Sequence, residues 1–160
     1  MNNGVVNVVV AGLGGQGVIK ASDILAEVAF RSGLDVKKAE VHGMSQRGGS
    51  VATDVRFGKQ VLSPMVPPGE ADYLVVLSPD QVDNNRPSLR AGGALIAPDL
   101  IDQAKLPNIK SLNIALLGAL SAHLDFPADL WLTVVKENLE PRLHEMNVKA
   151  FEIGRQAARK

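Results

Sequence analysis

Val5-Val6-Asn7-Val8-Val9-Val10-Ala11 leads without a break into Gly12-Leu13-Gly14-Gly15-Gln16-Gly17-Val18, and no other stretch restricts the fold as much. An apolar run this continuous reads as a strand buried on both faces, the kind found inside a parallel sheet. Gly12, Gly14, Gly15 and Gly17 let the backbone turn where a side chain would collide, and alanine at Gly14 would cost stability if its backbone sits at φ > 0. The helical pattern that follows begins with free N–H groups aimed back at the turn, an arrangement that suits an anion. Gly12, Gly14 and Gly17 also have the spacing of a dinucleotide fingerprint. The residues leave two readings open: the loop holds a nucleotide, or its glycines only let strand and helix pack closely.

Behind the loop, Ile19, Ile24, Leu25, Val28 and Ala29 recur at helical spacing. They predict a helix over residues 15–31 that stops at Gly33. Residues 36–41 predict a second strand, completing a right-handed parallel β-α-β unit. Residues 51–57 alternate as a third strand, and Val61-Leu62 would pair back after Gly58-Lys59 as a short hairpin. Pro64, Pro67 and Pro68 stiffen the next loop. Residues 73–77 and 94–97 read as buried strands, separated by a short helix that Pro87 limits and by Gly92-Gly93. From Asp99 on the pattern turns helical, with helices over 113–124, 128–139 and 142–159. Without a repeat, a linker or a low-complexity segment, the 160 residues are expected to form one domain, 1–160. Its expected class is α/β, a three-layer, Rossmann-like, mostly parallel sheet with a helical C-terminal part.

Charge and composition remove several function classes. Lys+Arg and Asp+Glu both number 17, so the formal net charge is zero, and no basic excess exists to neutralise the phosphates of a nucleic acid. A neutral surface favours association, which leaves homo-oligomer formation open for the isolated chain. There is no cysteine, hence no disulfide, no thiolate nucleophile and no four-thiolate cluster on this chain. His42, His123 and His144 lack ligand spacing, and no metal site is expected. No apolar run reaches membrane-spanning length and the first residues lack a signal-peptide pattern, so the expected compartment is the cytoplasm.

The segment His42-Gly43-Met44-Ser45-Gln46-Arg47-Gly48-Gly49-Ser50 has little to bury. It falls where the second strand ends, at the sheet edge where ligands commonly bind. Arg47 can fork onto a phosphate or carboxylate; it can equally face solvent or pair with Glu40 or Asp54. Gln46 and Gln16 can donate and accept at once, ordering a loop or holding a carbonyl. His42 is either a proton carrier or a strand-end histidine bonded to backbone. Met44 is an apolar residue in a polar loop, as a surface covered by a partner would have. Trp131 reads as packing or interface rather than chemistry.

Two stretches carry a family resemblance. Gly12-Leu13-Gly14-Gly15-Gln16-Gly17-Val18 resembles the opening of the gamma-type domain of 2-oxoacid:ferredoxin oxidoreductases. Glu40-Val41-His42-Gly43-Met44-Ser45-Gln46-Arg47-Gly48-Gly49-Ser50-Val51 is similar to that family's second signature, in a form nearer its indolepyruvate branch than its pyruvate or 2-oxoglutarate branches. Val55-Arg56-Phe57-Gly58, Gly69-Glu70-Ala71-Asp72, the stretch 113–120 and the stretch 145–151 continue the match over most of the chain. Between Pro98 and Asn113 this chain is shorter than the family pattern.

The resemblance implies a subunit of an enzyme that oxidatively decarboxylates a 2-oxoacid, an aryl pyruvate here, to an acyl-CoA and reduces ferredoxin. It implies that thiamine diphosphate with magnesium, iron–sulfur clusters and coenzyme A work in the assembled complex. This chain would be the small partner of a large catalytic subunit that carries the thiamine and the clusters. It would bind none of these cofactors alone. His42, Gln46, Arg47, Gly48 and Gly49 would approach substrate, coenzyme or the subunit interface. No catalytic residue is assigned. The competing reading is a stand-alone nucleotide- or flavin-binding module. Against it, Glu40 follows Gly12 by 28 residues, far beyond the spacing of about twenty usual for a ribose-binding acid.

Overall fold

A computed structural model describes the backbone of residues 4–42 and 49–159. Strand β1 (Val6–Leu13) is buried on both faces over Asn7–Gly12, as its apolar run demands. It enters α1 (Val18–Arg31) through the glycine turn. The helix starts at Val18, later than the predicted residue 15, because Gly17 at φ 87° is its left-handed cap. Gly33, also left-handed at φ 89°, ends it as expected.

Strands β2 (Asp35–His42) and β3 (Ser50–Gly58) follow, then β4 (Ala71–Val76) and β5 (Leu89–Ile96). The sheet order is β2-β3-β1-β4-β5. β3 runs antiparallel to both β1 and β2, whereas β1–β4 and β4–β5 are parallel. The sheet is therefore mixed by one strand: β1, β2, β4 and β5 run the same way, as expected, and β3 runs against them. β2 does point the same way as β1, as a β-α-β unit requires, but β3 has been inserted between them. Val61-Leu62 forms no hairpin strand: Val61 instead donates its N–H to the Asp35 carboxylate at 2.8 Å. Gly92-Gly93 lies inside β5 rather than interrupting it.

Most of the helices gather on one face of the sheet. Val8, Val10, Val55, Phe57, Val75 and Ile96 face one core shared by α1, α3 (Leu112–Ser121), α4 (Ala128–Glu137) and α5 (His144–Ala158). Residues 113–121 are all buried because α3 lies between the sheet and α5. Its lack of a polar face is the signature of a helix covered on every side. The glycines make the α3–α5 approach possible. A Cβ on Gly154 would lie 2.6 Å from the Ala115 carbonyl carbon, and one on Gly118 2.9 Å from that of Phe151.

The opposite sheet face carries only a small cluster of Val9, Ala71, Leu74 and Val76, covered by Val66, Val82, Leu89 and Leu95. Val82 belongs to the four-residue α2 (Val82–Asn85). Val66 belongs to the proline-rich strap, which is pinned at its start and near its middle. Arg56 donates to the Ser63 carbonyl at 2.8 Å, and Asp54 accepts from Val66 N–H at 2.9 Å. Residues 99–111 form three short 3₁₀ turns rather than a helix. Asp102 and Asn108 cap two of them with side-chain oxygens.

Candidate functional site at the carboxyl edge of the sheet

The first crossover leaves β1 toward β2, and the connection after β4 leads the other way to β5. Between the carboxyl ends of β1 and β4 the chain thus diverges, leaving the crevice where α/β sheets place ligands. The geometry here is set by hydrogen bonds within the glycine loop. Gln16 returns its Oε1 to Leu13 N–H at 2.7 Å, and its own N–H donates to the Leu13 carbonyl at 3.1 Å. Gln16 Oε1 therefore orders the turn. The left-handed residues of the turn are Gly15, at φ 91°, and Gly17; Gly14 is not among them, so the condition for a costly Gly14→Ala is not met there. Gly12 is required for packing: a Cβ there would meet Gln16 Oε1 at 2.8 Å and Leu77 Cβ at 3.1 Å.

A cleft of about 470 Å³ opens over this turn, lined by Gly15, Gln16, Gly17, Leu77, Lys110 and Asn113 among others. α1 and α3 both begin at it. Asn113 Nδ2 donates to the Gly17 carbonyl at 3.3 Å, locking the two helix starts together. Helix N-termini and the Lys110 ammonium give the cleft positive potential. Lys110 and Ile109 escaped the sequence reading because their segment departs from the family pattern. The Asx cap at Asn108 was the available signal that a turn would bring them to the edge.

The second predicted segment reaches the same edge. Gly14 N–H donates to the Gly49 carbonyl at 2.8 Å, and Ser50 Oγ bonds Gln81 Oε1 at 2.9 Å. The His42 backbone closes β2, opposite Val51. Gly49 is thus brought directly against the first glycine loop. Met44, Gln46, Arg47 and Gly48 lie outside the described residues, as does the His42 side chain.

Two carboxylates, Asp54 and Asp72, hold neighbouring backbone in place. Asp54 is buried beneath the strap, and that burial raises its pKa, opposed by the Val66 N–H and Arg56. Its carboxylate holds the strap by that N–H. Asp72 accepts from Asn7 N–H and Arg90 Nε, both at 2.8 Å. Trp131 is fully buried against Phe126 and Phe151. Among the described residues no cluster of three or more His, Cys, Asp or Glu could hold a metal ion. Nor, among them, is any helix long and apolar enough to cross a membrane.

Comparison with known proteins fits this architecture. The family profile described as pyruvate ferredoxin/flavodoxin oxidoreductase matches residues 7–157. The indolepyruvate oxidoreductase subunit IorB of Thermococcus kodakarensis is 32% identical over 193 aligned positions, covering 96% of each chain. IorB of Methanothermobacter thermautotrophicus is 31% identical, covering 95% of this chain and 97% of its own. The alignment with the first exceeds the 160 residues of this chain, so the relative carries insertions with respect to it. Among solved structures, the gamma subunit of a keto/oxoacid ferredoxin oxidoreductase from Geobacter sulfurreducens superposes with a TM-score of 0.80 at 25% identity, covering 96% of this chain and 98% of its own. The profile, the near full-length relatives and the gamma-subunit fold agree: this chain belongs to the pyruvate ferredoxin/flavodoxin oxidoreductase family, as one of its small-subunit members.

Proposed function

We propose that the chain is the small subunit of a thiamine-diphosphate-dependent 2-oxoacid:ferredoxin oxidoreductase acting on an aryl pyruvate such as indolepyruvate. The observation that carries this reading is the similarity to IorB subunits over nearly the whole of both chains. In that reaction a 2-oxoacid loses carbon dioxide, its acyl group passes to coenzyme A, and two electrons leave for ferredoxin through iron–sulfur clusters. Without cysteine this chain has no thiolate for such a cluster, so the ligands must come from a larger catalytic subunit. Thiamine diphosphate, when bound there with magnesium, supplies the carbanion chemistry. What this chain offers is an anion-receptive edge. The glycine turn presents backbone N–H groups, Lys110 supplies a cation, and Arg47 in the adjoining segment supplies a second. Such groups suit the phosphates of coenzyme A or a substrate carboxylate.

The test is reconstitution. The chain purified alone should carry neither iron nor thiamine and should not turn over. With the large subunit it should support indolepyruvate- and coenzyme A-dependent reduction of ferredoxin. The same cleft also suits the competing reading, since two helix starts and a lysine fit the phosphates of a nucleotide. Tight binding of a dinucleotide or flavin to the chain alone, with no gain in activity on adding a large subunit, would favour that reading and overturn the first.

A further inference from the structure

A second cleft, about 800 Å³ in volume, lies at the other end of the sheet, where β1 starts and β3 ends. Its floor and walls are the half-buried Val6, Leu34, Tyr73, Phe126 and Leu130 with the buried Phe57. Phe57 and Phe126 meet at 5.6 Å between ring centres, and Tyr73 and His123 at 5.5 Å. A volume and lining of this kind match a small-molecule site: apolar and aromatic surface with a few polar groups at the mouth.

The polar groups at the mouth differ in what they already do. Arg31 is committed to Glu27 at 2.9 Å and Glu137 at 2.5 Å. Ser32 Oγ is committed to the Val28 carbonyl. Tyr73 is kept protonated, its pKa raised by burial and by Asp72, and its hydroxyl leans on the His123 carbonyl at 3.4 Å. Lys59 and Asp125 also line the cleft, and neither forms an ion pair with the other or with any described residue. Lys59 sits two residues beyond Phe57 and Asp125 directly precedes Phe126, so the Phe57–Phe126 contact draws their two chain segments together. The apolar cleft is therefore rimmed by one uncommitted cation and one uncommitted anion.

We infer that this cleft binds a free amino acid with an apolar side chain. Its side chain would lie on the Phe57–Phe126–Leu130 floor, its carboxylate toward Lys59 and its ammonium toward Asp125. A simple carboxylate would satisfy Lys59 and be repelled by Asp125; a simple amine would do the reverse. Only a zwitterion answers both charges at once. The site is at the opposite end of the sheet from the glycine loop, so occupation would act on the subunit without competing for that edge.

The single tryptophan provides the readout, because Trp131 meets Phe126 in a tilted contact with ring centres 6.2 Å apart. Its emission, excited where phenylalanine does not absorb, would be followed while the purified chain is titrated with L-phenylalanine, and calorimetry would follow L-leucine. Both should bind saturably. Phenylacetate and phenethylamine, each lacking one charge, should bind about tenfold or more weaker. Lys59→Ala and Asp125→Ala are surface changes that should leave thermal melting unchanged and weaken L-phenylalanine by a similar factor. Absence of saturable binding, or equal binding of all four compounds, would overturn the inference, the latter reducing the cleft to a nonspecific apolar surface. Self-association of the chain that buries the cleft, detected by sedimentation and abolished by Lys59→Ala or Asp125→Ala, would overturn it in favour of a second copy.

Discussion

Gly154→Ala should destabilise the protein by about 3 kcal/mol. Taken by itself, the substitution ought to help, since alanine is favoured over glycine in a helix interior by about 1 kcal/mol. The structure reverses the sign. A Cβ on Gly154 would sit 2.6 Å from the Ala115 carbonyl carbon, closer still to its oxygen, and 3.1 Å from Ala115 Cα. Carbon atoms at optimal separation are about 3.5 Å apart or more, so α3 and α5 must part by roughly 1 Å. The obstacle is helix backbone, which cannot rotate aside as a side chain can. A gap of that size forfeits about a quarter to a half of each dispersion contact across it. The contacts at risk include those of Phe151, Ala150, Ile114 and Leu117, all essentially without solvent exposure. The hydrogen bond from Arg155 to Ser121 Oγ, at 3.0 Å, bridges the same two helices. Overpacking of a filled core costs about 1–3 kcal/mol and sometimes more, and a backbone clash belongs at the upper end. The assay is urea unfolding at fixed m-value with a thermal melt beside it. For a chain of this size 3 kcal/mol corresponds to a Tm lower by about 6–12 °C. An unchanged or higher midpoint would mean that the helices do not approach this closely.

Four further outcomes follow from particular residues. Gly17→Ala should cost at least about 1 kcal/mol, because its φ is 87° and its Cβ would crowd the Asn113 side-chain amide; an unchanged melt would refute the cap geometry. Thr53→Val should leave stability equal or raise it by on the order of 1 kcal/mol, since Thr53 Oγ1 is buried without a partner; a clear loss in denaturant titration would show that the hydroxyl is satisfied. Arg47→Ala in the assembled complex should lower kcat/KM by about ten- to a hundredfold, with exposed Arg86→Ala as the control; a complex that assembles and turns over like the parent would refute a role for Arg47 in the site. Burial raises the Asp54 pKa in the folded state, so the folded protein binds that proton more tightly than the unfolded chain. The resulting stability is present below the unfolded value and is lost as pH rises through the folded one. The stability advantage of the parent over Asp54→Asn should therefore shrink between acidic and neutral pH, and a constant or growing difference in chemical unfolding would contradict this.

The elements that local pattern can specify were legible in the sequence. β1, the glycine turn and α1 follow from an apolar run, glycines and a 3.6-residue period, and Gly33 ends the helix where its left-handed conformation requires. Strand order was not legible. β2 and β3 each carry an adequate strand pattern, and nothing within either says that β3 folds back between β2 and β1. The α3–α5 contact was hidden for a related reason. Gly154 within a helix is only a weak helix former until Ala115 is known to face it. At the site, the glycine loop was found from spacing, and Gln16 proved to order the turn through its Oε1 while also lining the cleft. Lys110 and Asn113 come from far along the chain and reach the cleft only through tertiary packing. The strap was visible as a proline-rich loop, whereas the sheet face it covers depended on the register that places Asp54 opposite Val9.

The insertion of β3 also explains how two distant motifs share one edge. Because β3 is antiparallel to β2, the connection between them begins and ends at the carboxyl side of the sheet. Because β3 also lies beside β1, its first residues arrive next to the turn that follows β1. The register pairs Leu13 with Ser50 and Gly12 with Val51, and the Gly14–Gly49 hydrogen bond continues that ladder one step into the loops. Had β2 paired directly with β1 and β3 lain outside it, β2 would separate the second motif's return from the glycine turn by another strand spacing of about 4.8 Å. The antiparallel strand thus holds the end of the second motif against the first at hydrogen-bond distance. A substitution that breaks the pairing at Gly12–Val51 should accordingly disturb both loops together, whereas one in β5 should disturb neither. Backbone amide exchange at Gly14, whose N–H donates to the Gly49 carbonyl, distinguishes the two: protection lost there in a Val51→Pro variant and kept in a variant of β5 is the expected result.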